Sequence, residues 1–342
     1  MKNKSLDNEN SGQQTIFFKH SPRLISGHAV VGPKEGEGTF KDYYDEILKE
    51  DLFKQKSYEK AERIILGMAV EGAIQKAGLS IQNIDMLLSG DLLNQITASS
   101  FAAANLDVAY VGLFGACSTM AESIALGAAL VDGGYLNNIA CATGSHFSTV
   151  ERQFRVPLEL GSQRPPTSQW TVTGAGCSII SSKGKGPIIT AATFGKVVDY
   201  GVCDESNMGA AMAPAAMATI EAHLKDTGTK PDDFDLIVTG DLGKLGSEIL
   251  IDLLENRGIT LGNNYCDCGQ MIFNKNQHVF QGGSGPACSA VVLNSYLLQR
   301  IRKEGLKKIL FVATGALLSP TSAQQGDSIP GIAHAVLIEK GD

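Results

Sequence analysis

Two stretches of this 342-residue chain recur in the same order, and that recurrence restricts the fold more than any other feature. Ile84-Asp85-Met86-Leu87-Leu88-Ser89-Gly90-Asp91-Leu92 matches Phe234-Asp235-Leu236-Ile237-Val238-Thr239-Gly240-Asp241-Leu242 at an offset of 150 (240 − 90), and Gly78 finds Gly228 at the same offset. Ala116-Cys117-Ser118 pairs with Ala287-Cys288-Ser289, and Ala142-Thr143-Gly144 with Ala313-Thr314-Gly315, both at an offset of 171. The difference of 21 residues requires an insertion between Leu242 and Ala287, which the sequence places at 263–281. Internal repeats of this length are read before any local pattern. They divide the chain into halves at 1–186 and 187–342, with residues 1–15 as a flexible tail.

Each half reads helix, strand, loop, strand, helix, strand. Over 57–77 apolar residues return at helical spacing (Ala61, Ile64, Ile65, Met68, Ala69, Ala73), and Gly78 follows as a helix-ending glycine. Residues 84–88, 109–114 and 139–142 are short apolar runs suited to buried strands, and 117–131 is a helix of small residues. Such alternation implies an α/β chain with a parallel or mixed sheet covered by helices.

Charge and cysteine content narrow the function classes. With 29 basic and 36 acidic side chains the net charge is −7. A nucleic-acid binder would show a basic stripe, and an anionic bilayer would repel this chain. No apolar run approaches the roughly 18–20 residues of a membrane span. The first fifteen residues are polar, so no secretory signal is expected. Seven scattered cysteines, an odd number, suit a reducing interior better than a disulfide framework.

Cys117 is the first candidate for chemistry. It falls between a strand and a helix start, where unpaired backbone N–H groups favour a thiolate or bind a carboxylate or phosphate. It therefore suits a nucleophile, a ligand contact or a small buried core residue. A nucleophile needs a base, and His146 follows the strand at the same sheet edge, while His334 lies in the last strand. Neither makes a recognisable pair with Cys117 by spacing. Gln281-Gly282-Gly283-Ser284-Gly285-Pro286-Ala287 is a glycine-rich approach to the second-half helix, suited to cradling an anion or to close packing. Cys266-Asp267-Cys268 with His278 lacks the spacing and fourth ligand of a zinc site. Glu151-Arg152-Gln153-Phe154-Arg155 and Arg164 form a polar loop whose arginines suit either a dicarboxylate or solvent.

These residues carry a resemblance. Gly115-Ala116-Cys117-Ser118, Thr173-Gly174-Ala175-Gly176-Cys177 and Pro330-Gly331-Ile332-Ala333-His334 resemble the thiolase superfamily, especially the type III ketoacyl-ACP synthases. Gly90-Asp91-Leu92-Leu93-Asn94-Gln95, Met212-Ala213-Pro214-Ala215-Ala216 and Ala313-Thr314-Gly315-Ala316-Leu317-Leu318-Ser319-Pro320 are similar to the stage V sporulation protein AD family within it. The resemblance implies a thiolase-like fold, with duplicated halves in an α-β-α-β-α arrangement. It also implies a homodimer, no cofactor, no nucleic acid, and a location in the forespore or spore at the inner membrane, held by other stage V sporulation A-operon membrane proteins.

The family is a component of the machinery that takes up dipicolinic acid in sporulation and releases it in germination. The implied function is binding of dipicolinate, free or as its calcium chelate, without catalysis. The departures agree with a degenerate condensing enzyme. Where condensing enzymes place a histidine in the second-half loop, this chain has Gly240-Asp241-Leu242-Gly243, and where they place an asparagine it has Gly282-Gly283-Ser284-Gly285. The alternatives are an acyltransferase that uses Cys117 and a scaffold without a ligand. For a dipicolinate site the expected contacts are Asp91, Cys117, His146, Ser284 and Ser319. Asp91 would repel a dianion unless it is protonated, orients a donor or shares a calcium ion.

Overall fold

The computed structural model describes residues 14–154, 163–303 and 305–341. In it the repeat becomes a symmetry of strand order. The strands are β1 Thr15–Phe17, β2 Arg23–Val31, β3 Glu46–Ile47, β4 Met86–Gly90, β5 Tyr110–Gly112, β6 Asn138–Ser145, β7 Trp170–Thr171, β8 Gly174–Ser181, β9 Ile188–Phe194, β10 Leu236–Thr239, β11 Tyr265–Asp267, β12 Gly283–Ser284, β13 Lys308–Ala316 and β14 Gly331–Glu339. Hydrogen-bonded neighbours run β11-β10-β13-β14-β9-β2-β8-β6-β4-β5. Counting outward from the β2–β9 contact, β8 matches β14, β6 matches β13, β4 matches β10 and β5 matches β11. Within each half the outer three strands are parallel and the inner ones antiparallel. The two half-sheets meet at one residue pair, Arg23 with Ile188.

The helices fall into three layers. Thr119–Asp132 packs on β6 and β8 of its own half and on β13 and β14 of the other. Pro286–Val292 lies beside it, against β6 and β8. Tyr58–Lys76 and Thr97–Leu106 cover the outer face of the first half-sheet, and Met208–Thr227 and Gly243–Glu255 that of the second. The result is the expected α-β-α-β-α order. It explains why β6 and β13 read as continuous apolar runs: both faces of a sheet buried between helices must be apolar, so the two-residue alternation disappears. The central helix carries Ala121, Ala125, Gly127 and Ala128 because it is enclosed on both sides and only small residues admit two sheets at once.

Local chemistry sets the ends. The Ser57 hydroxyl accepts from Lys60 N to start the first outer helix, and Gly228 stops its counterpart in a left-handed conformation, φ 67°. The helix expected from residue 117 begins later: a tight turn, Ala116–Ser118, comes first, and the helix proper starts at Thr119. The glycine-rich segment at 32–38 holds a short helix, Pro33–Gly36. The insertion is split. β5 and β11 occupy matching edges at an offset of 155 (265 − 110), so five residues enter before β11 and sixteen after it. Residues 1–13 of the expected tail lie outside the described residues, and Thr15 opens β1.

Candidate functional site

Cys117 sits in the tight turn that joins β5 to the central helix. Ala116 before it has φ 49°, a left-handed conformation that non-glycine residues adopt rarely. The turn is pressed against the end of β13. A Cβ at Gly315 would collide with the Gly115 carbonyl oxygen and come within 3.1 Å of Ser118 N and 3.3 Å of Cys117 N. Only glycine at 315 lets the strand approach the backbone of the cysteine turn.

The Cys117 thiol is hydrogen-bonded to the carboxyl of Asp241, which follows β10. Asp241 is fully buried. Its Oδ1 accepts from Thr314 Oγ1 at 2.8 Å, and its Oδ2 accepts from Gly285 N at 2.9 Å and Ser284 Oγ at 3.3 Å. Burial raises its pKa to about 7, opposed by the Thr314 and Cys117 hydrogen bonds and reinforced by the nearby charge of Asp267. At neutral pH the carboxyl is therefore partly protonated.

Asp91 is the repeat counterpart of Asp241 and does something different. Its Oδ1 accepts from Leu93 N at 2.9 Å and its Oδ2 from Ser99 N at 2.7 Å, closing the loop onto the start of helix Thr97–Leu106. In the second half that task belongs to Asp267 at the end of β11, which accepts from Leu242 N and Gly243 N, both at 2.9 Å. Because Asp267 holds the loop, Asp241 is released to face Cys117. Asp241 was the residue that motif reading missed. The repeated Gly-Asp-Leu could have found it, because one copy of a duplicated capping residue was free to change its task.

Above Cys117 lies a slot between the two halves. Its open space is about 500 Å³ counted to the mouth, of which the centre of a water molecule reaches only about 50 Å³, so it is narrow. Leu92, Val150 and Phe154 from the first half face Met208, Met212 and Leu318 from the second. Cys117, Thr171 and Ser284 supply the polar atoms, and among the described residues no lysine, arginine or histidine lines it. Thr171 and Ser284 are brought together by the pairing of β7 with β12.

Of the five expected contacts, Cys117 and Ser284 line this slot. Asp91 does not. His146 is fully buried elsewhere: its Nδ1 accepts from Ser148 N at 3.1 Å, its Nε2 lies 2.9 Å from Asp51 O, and burial lowers its pKa. Ser319 caps the short helix Pro320–Gln324 and lies in an adjoining groove that shares Phe114, Phe154 and Leu318 with the slot. The arginines of the polar loop are engaged with carboxylates, Arg152 with Glu59 at 3.0 Å and Arg164 with Glu151 at 2.9 Å; Arg155 lies outside the described residues. His334 is buried in β14, where its Nδ1 accepts from Gly195 N at 3.3 Å. Among the described residues no three His, Cys, Asp or Glu side chains are placed to hold a metal ion, and no helix is long and apolar enough to cross a membrane.

Residues 12–339 match the family model described as stage V sporulation protein AD. Stage V sporulation protein AD of Bacillus subtilis (strain 168) is 46% identical over 330 residues, covering 96% of this chain and 98% of that one. Among solved structures, 3-oxoacyl-[acyl-carrier-protein] synthase III of Aquifex aeolicus VF5 superposes with a TM-score of 0.57 at 13% identity, over 93% of this chain and 99% of its own. An OleA variant of Xanthomonas campestris does so with a TM-score of 0.57 at 15% identity, over 94% of this chain and 100% of its own. The fold is thiolase-like.

Proposed function

The chain belongs to the stage V sporulation protein AD family, and on that premise we propose that it is a non-catalytic subunit that binds dipicolinate in the slot above Cys117. The carrying observation is the partner of the cysteine. A thiol becomes a nucleophile when a base takes its proton and a positive neighbour favours the thiolate. Cys117 faces a buried carboxyl instead, and a like charge beside a thiolate disfavours it. Among the described residues no histidine lines the slot, so a condensing reaction here lacks the acid–base help that a histidine would supply, typically worth about 10²–10⁴-fold.

The slot has nevertheless stayed open. Its facing apolar walls suit the two faces of a pyridine ring, and the Thr171 hydroxyl, with that of Ser284 once it turns from Asp241, suits the carboxylates. The partly protonated Asp241 lessens the repulsion that a second carboxylate would feel. In this reading the ligand arrives free or as its calcium chelate, is taken up in sporulation and is released in germination. Membrane partners from the stage V sporulation A operon would hold the subunit at the spore inner membrane. The edge strand β5, with Val111 in it and Phe114 just after it about half exposed, supports pairing of two copies edge to edge.

Calorimetric titration with dipicolinate, with and without Ca²⁺ and with picolinate as control, tests the reading. Saturable binding that Ser284→Ala weakens and Met208→Trp abolishes, with thermal midpoints preserved, supports it. Absence of heat favours a ligand-free scaffold. Transfer of an acyl group from a thioester, lost in Cys117→Ala, would overturn the non-catalytic reading in favour of an acyltransferase.

A further inference from the structure

The residues inserted after β11 build a second, larger groove. It is formed against Lys244, at the start of helix Gly243–Glu255, by helix Cys268–Ile272, the turn Lys275–Gln277 and residues 278–282. Its open space is about 910 Å³ counted to the mouth, and a water centre reaches about 410 Å³ of it. None of its residues belongs to the slot above Cys117.

Its chemistry runs against that of the chain. The protein carries a net charge of −7, yet Lys244, Lys275 and His278 line this groove and, among the described residues, no acidic side chain does. Among the described residues no carboxylate pairs with Lys244 or Lys275. The repeat counterpart of Lys244 is Asn94, so the charge belongs to this half alone (244 − 150). Two unpartnered ammonium groups at one concavity favour an anion of charge −2.

The wall is fixed in advance. Gln281 accepts from Leu245 N through its Oε1 at 3.1 Å, accepts from Lys244 N through its carbonyl at 2.9 Å, and donates from Nε2 to Pro166 O at 2.8 Å. A preformed wall lowers the ordering cost of binding. At the rim, His278 and Phe280 both take left-handed backbone conformations, φ 52° and 54°, and the Phe280 ring is 51% exposed. A bulky residue in that conformation is a strained outlier, and such strain gathers at ligand clamps. The strain here holds an aromatic face at the mouth of a cationic groove.

We propose that this groove is a second binding site, for a small dianion that carries a flat ring, with Lys244 and Lys275 on the charges and Phe280 on the ring. The test uses the full chain and phthalate, with Met208→Trp as background to block the slot. Saturable binding of phthalate should survive that block. Lys244→Ala with Lys275→Ala should weaken it at least about tenfold, as expected for loss of charge-assisted hydrogen bonds, and Phe280→Ala several-fold. Benzoate and inorganic phosphate should bind more weakly than phthalate. Lys244, Lys275 and Phe280 are exposed, so their variants should keep the thermal midpoint of the Met208→Trp background. No saturable heat in the Met208→Trp background, binding unchanged by the lysine double variant, or phosphate binding as tightly as phthalate would each overturn the proposal. The outcome is independent of dipicolinate binding above Cys117, which Met208→Trp reports in the otherwise native chain.

Discussion

The Cys117 thiol and the Asp241 carboxyl, which come from opposite halves of a duplicated chain, share a hydrogen bond inside a buried cluster with Thr314 and Gly285. A charged carboxyl in that place disfavours a thiolate beside it. Asp241→Asn removes the negative neighbour and should raise the alkylation rate of Cys117 by about tenfold near pH 7.5. Mass spectrometry of the Cys117 peptide after iodoacetamide treatment reads this separately from the exposed Cys203. An unchanged or slower rate would show that Asp241 activates the thiol or leaves it alone.

Glu35 offers a pH test of the core. It is fully buried, one oxygen accepts from Thr173 N at 3.0 Å, and the other has no partner among the described residues. Burial raises its pKa from 4.5 to about 8. Between these values the folded state holds a proton that the unfolded chain releases, so the group's contribution to stability falls as pH rises from about 4.5 to about 8. Glu35→Gln removes that slope. Urea denaturation should show variant and parent alike near pH 4, and the variant ahead by a few kcal/mol at pH 8.

His146 should prove structural. Accepting at Nδ1 from Ser148 N fixes it as the neutral tautomer, with its Nε2 proton donated to Asp51 O. His146→Ala leaves both backbone groups without their partner and should cost about 2–3 kcal/mol in urea unfolding. Dipicolinate affinity in the folded variant should stay within about twofold of the parent by calorimetry. A tenfold loss of affinity would return His146 to the site.

Gly315→Ala tests the close approach beneath the cysteine. The added methyl meets the Gly115 carbonyl and the backbone nitrogens of Cys117 and Ser118, so the turn must move. Forcing a group into a filled site costs about 1–3 kcal/mol. The thermal midpoint should fall, and ligand heat should fall with it even at temperatures where the variant is folded.

Strand β5 tests the assembly. It ends the sheet with Val111 41% exposed, and an unpaired strand edge seeks a partner. Val111→Lys should shift the protein from dimer to monomer in sedimentation velocity without lowering helix content. A parent protein that sediments as a monomer would remove the edge-to-edge pairing.

Much of the architecture was legible because burial on two faces leaves plain marks. Strands enclosed between helices read as short apolar runs, and a duplication reads as matched segments at fixed offsets. The matched Gly-Asp-Leu segments placed β4 opposite β10, and the matched Ala-Cys-Ser segments placed both cysteines near a helix N-terminus, Cys117 in the turn before its helix and Cys288 in the first turn of its own. The insertion was placed less well, because the β11 strand lay inside the stretch assigned to it. Side-chain tasks were harder to read. Asp91, His146 and Ser319 stand at the ends of the expected elements, yet each is turned aside by a backbone partner close by in the chain or by a neighbouring segment: Leu93 and Ser99 for Asp91, Ser148 and Asp51 for His146, Ser322 for Ser319.

The sequence alone determined the duplicated α/β plan, the strand-to-helix junction that holds Cys117 and the absence of a histidine in the second-half loop. These follow from local spacing and from comparison of the chain with itself. Only the tertiary structure decided that Asp241 meets Cys117 while its twin Asp91 does not. That outcome depends on Asp267, 26 residues further on, taking over the loop's N–H groups and freeing one carboxyl of an equivalent pair. Which of two identical residues is free to act depends on which donors a distant segment has already satisfied, and no local pattern records that.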